Sequence, residues 1–529
     1  MVDVLVIGAG GAGLVAALSA KEAGASVKVL TKTYPTRSQT CMAQGGINAA
    51  LSNVSEDSIK SHYANTLKSA HGLADEAMVE KLCQEGVDAV KWLDRIGVPF
   101  SRTEDGRIAQ RRLGGASAPR ACYAQDYTGL KILHTLYDQC NANDIEILSE
   151  RFLLELLVEE GAVCGAVMLN IKTGETETYK AKSVILATGG YSRIYGKNST
   201  NAVGSTGDGI AVAYRAGAKL SDIEFVQFHP TALKNSSILV SESARGEGGY
   251  LLNKEGKRFT DELAPRDQVS RAIYDEMQNG GEVYIDIRHL GEEFIARQLP
   301  QERKLAKLYE NADPAYELVP VKPVAHYTMG GIDVDRDSQT NIKGLFAAGE
   351  CANQKVHGAN RLGGNSLLEL IVFGRNAGNN AASHAQQNSF TCNDVHNADE
   401  SIESVKNSPC SIDFYKKRDV LCEQFYKNVG IKRDDAKLSE ALEYIKTLKE
   451  ELPLMGVRDK NKLYNTELVE FLEFKNMIDL AQMVVFGALK RQESRGAHFR
   501  EDMPQEKEAF KANTVYYKEG DKLCVDLMK

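Results

Sequence analysis

The 529 residues predict an α/β protein built on a doubly wound sheet, with an inserted domain and a helical C-terminal domain. Three observations point there: an early glycine turn between a strand and a helix, later strands that return to further glycine pairs, and a change to helical periodicity from about residue 396. The chain opens VDVLVIG, AGGAG, LVAALSAKEAG, ASVKVLTK, which reads strand, tight turn, helix, strand and makes one βαβ unit. Residues 152–190 read as strands, FLLELLVEEG and AVCGAVMLN, separated from SVILATGG by the polar turn KTGET. GLFAAGE at 344–350 is another apolar strand entering a small-residue turn, and LLELIVFGRNAGNNAASHA after it fits a helix closing the same domain. Residues 222–328, between these pieces, make the inserted domain. Near the end, LSEALEYIKTLKEEL and ELVEFLEFKNMIDLAQMVVFGALKRQ carry heptad-like spacing and define the helical domain.

At 43% hydrophobic and 26% charged residues the chain can bury large cores, and its length fits about three domains, which favours a multidomain enzyme over a binding module. A net charge of -8 and a pI near 5.8 leave no broad positive field for a phosphate backbone, so nucleic acid is excluded as a partner. No window reaches the roughly 18 apolar residues of a membrane span, and VDVLVI is too short for a signal-peptide core. The expected location is cytoplasmic, with any membrane contact made through partners. The ten cysteines lie far apart and show no C-x-x-C pair, so they read as reduced thiols, mostly buried, with no metal or cluster site in this chain. Iron–sulfur clusters, if electrons leave through them, belong to another subunit.

Gly8, Gly10 and Gly13 form G-x-G-x-x-G between a strand and a helix, a Rossmann-like turn whose backbone can approach a pyrophosphate while the helix N-terminus stabilises its charge. The second strand ends in Thr31 and Lys32 where an acidic residue usually grips the adenosine ribose, which weakens a generic NAD reading. Further glycine clusters at Gln44–Gly45–Gly46, Thr188–Gly189–Gly190, Gly207–Asp208–Gly209 and Gly349–Glu350 each flank an apolar strand or a helix start. Each alone is a plain turn; together in one frame they favour a long dinucleotide such as FAD.

Eight segments, in order, then carry a resemblance: VIGAGGAG at 6–13, PTRSQTCMAQGG at 35–46, FVQFHPTAL at 225–233, SESARGEGGYL at 241–251, LAPRD at 263–267, HYTMGGI at 326–332, HGANRLGGNSLLEL at 357–370 and ESRGAHFREDMP at 493–504. The chain resembles the flavoprotein subunits of fumarate reductase and succinate dehydrogenase, whose relatives include L-aspartate oxidase. The resemblance implies an FAD domain from 1–221 and 329–395, an α+β capping domain at 222–328 and a helical domain at 396–529. It implies FAD contacts at Gly8, Gly10, Gly13, Lys32, Gln44, Gly45, Gly46, Asp208, Glu350, Ser366 and Leu367. It further implies that His229, Ser241, Glu242, His326 and Arg361 hold a dicarboxylate, with Arg266 as the catalytic acid or base. Arg361 and the two histidines would supply the cations and fork-like donors that carboxylates need. An arginine gives up a proton poorly, so a relay must replace it, and Glu242 and Arg245, three apart, are the candidates. An iron–sulfur subunit and a quinone-reactive membrane anchor, or a soluble donor, are the implied partners.

Taken singly, His229 reads as a turn cap, Arg266 as part of a solvated loop, Arg361 as a salt-bridge partner, Ser241 as a helix cap and Arg245 as a surface ion pair. Two departures from the family then shape the function. Many members attach FAD covalently through a histidine in the segment equivalent to 37–41, where this chain has Gln39, so FAD is expected to be non-covalent and fumarate reduction favoured. The aspartate oxidases resemble one another in a glutamate before the pair equivalent to Gly114–Gly115; this chain has Leu113, which cannot pair a substrate ammonium. L-aspartate oxidase is therefore the alternative, and a flavin-binding module without turnover the second.

Overall fold

The computed structural model describes residues 1–388, 392, 396–520 and 522–528. β1 (Val2–Ile7) lies inside the nucleotide-binding sheet, where Val4, Leu5, Val6 and Ile7 are all buried, as a parallel strand covered on both faces requires. β2 (Val27–Leu30) pairs parallel on one side of it and Thr176–Leu186 on the other. Glu146–Leu148 extends the sheet beyond β2, and Leu345–Ala347 pairs with Thr176–Leu186. That long strand belongs to two layers: residues 181–186 run in the parallel sheet, while 176–180 pair antiparallel with Ala162–Asn170, which pairs in turn with Arg151–Glu159. The run of strands expected at 152–190 is thus a meander feeding the parallel sheet. α1 (Gly11–Glu22) packs on the long helix Asn365–Gln387, and their apolar faces share one core through Leu14, Val15, Ile371 and Val372.

A second sheet, in the order Val226–Leu233, Val319–Thr328, Val283–Asp286, Tyr250–Leu252, is wholly antiparallel. It has its own core of Leu233, Leu251, Ile285 and Val321, closed by Val269 and Ile273 of the helix Arg266–Gln278. The helices Phe414–Asn428, Asp435–Glu451 and Thr466–Lys490 bury Phe425, Ile445, Phe474 and Leu480 in one core with Phe152, Ile194 and Tyr195. The expected domain limit at residue 395 lies outside the described residues.

The C-terminal helical domain also carries a hairpin, Asn513–Glu519 and Lys522–Met528, whose first strand pairs with Leu220–Ser221. The alternation of NTVYYKE is a strand signal that the helical periodicity upstream overshadowed. One expectation is corrected, since not all cysteines are reduced: Cys164 and Cys392 form a disulfide, with Cα atoms 5.6 Å apart. Spacing along the chain says nothing of proximity across 228 residues. Among the described residues no helix is long and apolar enough to cross a membrane, and no cluster of His, Cys, Asp or Glu could hold a metal.

Arg491 locks the hairpin to the rest. Fully buried, it donates from Nε to Glu224 at 2.8 Å, from Nη1 to Glu493 at 3.2 Å and from Nη2 to Thr514 at 2.7 Å. Arg491→Met leaves the buried Glu224 carboxylate without its cation, while Glu493 keeps Arg495, and is expected to destabilise the fold by about 3–5 kcal/mol. The check is the urea transition followed by circular dichroism, which should come earlier; an unchanged transition contradicts this account of the lock.

Candidate active site

A cavity of about 430 Å³ opens where β1 meets α1 and reaches the inserted sheet. Of the expected FAD contacts, Gly8, Gly10, Lys32, Gln44, Gly45, Gly46, Asp208, Glu350, Ser366 and Leu367 line it. Gly13 does not. A Cβ there would fall 1.9 Å from the Gly8 carbonyl oxygen, so this glycine lets α1 seat against the turn instead of touching a ligand. Lys32 lines the wall, but its charge is committed to protein: Nζ donates to Asp208 Oδ2 at 2.6 Å, Glu473 Oε1 at 2.7 Å and the Gly204 carbonyl at 2.7 Å. Burial disfavours its charged form, yet Asp208 and Glu473 outweigh this and hold its pKa above the usual lysine value. Asn476 also donates to Asp208, at 2.8 Å. Glu473 and Asn476 come from the helix Thr466–Lys490, and no local motif flags them.

These residues fit FAD. Gly10 caps α1 without a side chain, as a helix N-terminus that receives a phosphate requires. Ser38 Oγ, Gln44 Oε1 and Thr188 Oγ1 belong to lining residues, are buried, and have no hydrogen-bond partner among the described residues, as expected of groups that serve a polar ligand. Gln39 lines the same cavity, its Oε1 accepting from the Ala202 N–H at 2.7 Å. Burial pushes Glu350 up to about 7, where it accepts from Thr328 N–H at 3.0 Å.

The other lining residues include Leu113, His229, Ser241, Glu242, Arg266, His326 and Arg361. Arg266 is not in a solvated loop. It opens the helix Arg266–Gln278 after Pro265, is 7% exposed, and donates from Nη2 and Nε to Glu242 Oε2 at 2.5 and 3.1 Å. Glu242 Oε1 accepts from the Gly114 N–H at 2.8 Å, where a Cβ on Gly114 would come within 2.3 Å of that oxygen. Arg245 is no surface residue: it is 1% exposed, donates to the Glu262 carbonyl at 2.6 Å, and holds Nη2 3.8 Å from Glu242 Oε1. It stands behind Glu242 and does not line the cavity. Burial alone would raise Glu242, but Arg266 and Arg245 keep it below the usual carboxylate range, hence ionised.

Gln227, two residues before His229 on the same strand, joins the two cavity arginines. Its Oε1 accepts from Arg266 Nη1 at 3.1 Å and Arg361 Nη2 at 2.9 Å, and its Nε2 donates to Asn360 Oδ1 and the Arg361 carbonyl. Arg361 also donates to Ser366 Oγ at 3.2 Å and lies over the Tyr327 ring; burial and the nearby Arg266 lower its pKa to about 10. The histidines are not cations, which corrects that expectation. Burial, with Arg266 beside both, holds His229 and His326 well below the usual imidazole value. They are neutral groups, 4.9 Å apart between ring centres, anchored by Thr231 and Thr200. Ser241 does cap its helix, Glu242–Gly246, accepting from the Ser243 N–H at 3.1 Å, while its side chain still lines the cavity.

Comparison with known proteins agrees with this geometry. An FAD binding domain model matches residues 3–367, and a fumarate reductase flavoprotein C-terminal model matches residues 418–528. The succinate dehydrogenase flavoprotein subunit of Rickettsia bellii is 40% identical over 538 residues, spanning 95% of this chain and 90% of the relative. The fumarate reductase flavoprotein subunit of Haemophilus influenzae is 38% identical, over 98% of this chain and 92% of the relative. A solved quinol fumarate reductase chain from E. coli superposes with a TM-score of 0.96 at 35% identity, covering 100% of this chain and 96% of that one. Adenylylsulfate reductase of Archaeoglobus fulgidus, 19% identical with a TM-score of 0.83, shares the fold. The chain therefore belongs to the fumarate reductase and succinate dehydrogenase flavoprotein subunit family, FAD-dependent oxidoreductases acting on a CH–CH group.

Proposed function

We propose that this chain interconverts fumarate and succinate, favouring fumarate reduction, as the catalytic subunit of a larger complex. One observation carries the reading: Arg266 and Arg361 are buried in the wall of a cavity that fits FAD, with Arg245 behind, and Glu242 is the carboxylate that pairs Arg266 and Arg245. Such an arrangement has an excess of buried positive charge, which a dianion would complete. Bound FAD would supply the hydride chemistry.

The chain's own residues do the rest. Arg361 meets one carboxylate with its fork, while Ser241, His229 and His326 offer hydrogen bonds to the other end of the substrate. Arg266 holds the proton that goes to or from the substrate carbon. Its two bonds to Glu242 orient it and give the replacement proton a path, and Arg245 behind Glu242 continues that path away from the cavity. The same cations polarise the dicarboxylate and stabilise developing enolate-like charge. Residues 222–328 act as a capping domain whose closure excludes water.

Gln39 carries an amide whose nitrogen lone pair is delocalised and which is no nucleophile, and the histidines lining the cavity are His229 and His326. FAD is accordingly held without a covalent bond, which favours giving electrons to fumarate. The aspartate oxidase alternative finds no support at Leu113, 2% exposed in the cavity wall and unable to pair an ammonium. A module without turnover would have no use for the Arg266–Glu242 pair. Electrons enter through an iron–sulfur partner subunit served by a quinone-reactive membrane anchor or a soluble donor, placing the chain in the cytoplasm at the membrane surface.

Acid denaturation of the purified holoprotein is expected to release its FAD into the supernatant; flavin that stays with the precipitate contradicts the reading of Gln39. Fumarate-dependent oxidation of a reduced dye should exceed the succinate-dependent rate, with no peroxide formed from aspartate. Peroxide from aspartate without fumarate turnover would move the assignment to the oxidase. Arg266→Gln should lower kcat by about 10²–10⁴-fold with FAD content unchanged, and a change under threefold would remove Arg266 from the proton step.

A further inference from the structure

Glu302 is a buried acid that the reaction as described does not use. It is 4% exposed, in the first turn of the helix Pro300–Tyr309, and its Oε1 accepts from the Ser241 N–H at 2.7 Å. Ser241 is the cap of the short helix that carries Glu242 and Arg245, so this one acceptor fixes where that helix begins. The helix of Glu302 is itself held from the nucleotide-binding side: Asp126 Oδ2 accepts from the Gln301 and Glu302 N–H groups at 2.8 and 3.0 Å. The segment of Asp126 braces the glycine cradle in turn. Thr128 Oγ1 donates to the Gln44 carbonyl at 3.2 Å, and the Gly129 N–H to the Ala43 carbonyl at 2.7 Å. Hydrogen bonds joined by short backbone steps, from Thr128 and Gly129 to Asp126 and from Ser241 to Glu242, therefore link Ala43 and Gln44 at the cofactor cradle to Glu302 and Arg266.

We propose that Glu302 is a positioning residue for catalysis: it sets the helix bearing Glu242 and Arg245 in register with the cofactor cradle by holding the Ser241 N–H. This rests on the reading of Glu242 as the relay partner of Arg266. The charged surroundings are sparse. Asp126 faces Glu302, and Arg111, stacked on Tyr123 and 3.7 Å from Glu247, is the cation on that side. Burial and Asp126 push Glu302 well above the ordinary carboxylate range, and burial pushes Asp126 up to about 6. Glu302 therefore keeps its proton to higher pH than an ordinary carboxylic acid. As the pH rises it ionises against Asp126, and like-charge repulsion across the two segments loosens the Ser241 helix.

The test compares Glu302→Gln, which keeps an acceptor oxygen and cannot ionise, with Glu302→Leu, which has no acceptor, in the FAD-loaded protein. Glu302→Leu is expected to lower kcat/KM for fumarate about tenfold at unchanged FAD content, while Glu302→Gln stays within about twofold at neutral pH. As the pH is raised from neutrality, the fumarate KM of the native protein should rise more steeply than that of Glu302→Gln, whose side chain cannot ionise. Two results overturn the proposal: Glu302→Leu turning over like the native protein, or native and Glu302→Gln profiles that superpose. The second decides even where Glu302→Leu does not fold. Failure of the relay reading shows separately, as native turnover in Glu242→Gln.

Discussion

Three guanidiniums taken out of water, two of them on Glu242 and all held close together, are the constraint on which the site depends. A buried cation without a partner is costly, so each must be held by groups that are themselves fixed. Gln227 divides one carbonyl oxygen between Arg266 and Arg361, and Glu242 divides its two oxygens between Arg266 on one side and Gly114 and Arg245 on the other. Arg361 Nε is buried with no hydrogen-bond partner among the described residues. On the function proposed here, a ligand with two negative ends supplies the counterpart.

The fold exists to bring these groups together from distant parts of the chain. The strand Val226–Leu233 supplies Gln227 and His229, its neighbour Val319–Thr328 supplies His326, and the start of the helix Arg266–Gln278 supplies Arg266. Arg361 arrives from just before the long helix Asn365–Gln387, which packs on α1 and therefore belongs to the cofactor side. The groups lining the cavity thus come from both sides, and the geometry holds only while the two remain in register. The cofactor side is braced from further away still. The carboxylates absent from the end of β2 come from Asp208 and from Glu473 of a C-terminal helix, both bound to Lys32.

Much of this was legible in the sequence where chemistry is local. VIGAGGAG specifies a strand, a turn and a helix by its own sterics, and the hydrophobic run Val4–Ile7 can only be a covered strand. FVQFHPTAL and LAPRD placed His229 and Arg266 in the cavity. What stayed hidden depends on pairing across space. Gln227 is an ordinary strand glutamine until two arginines fold around it, and Glu302 reads as a solvated helix residue until Ser241 meets it. Neither Glu473 nor Asn476 has a motif, and the partner of Cys164 lies 228 residues away. The neutrality of His229 and His326 could not be read either, because burial and adjacent arginines, not residue type, decide it.

The central claim, that buried arginines here await a dicarboxylate, is tested most directly by titrating the FAD-loaded protein with malonate and following the flavin absorbance. The account predicts a saturable difference spectrum that propionate does not produce and that Arg361→Met abolishes. A spectrum unmoved by malonate, or one produced equally by propionate, would contradict it.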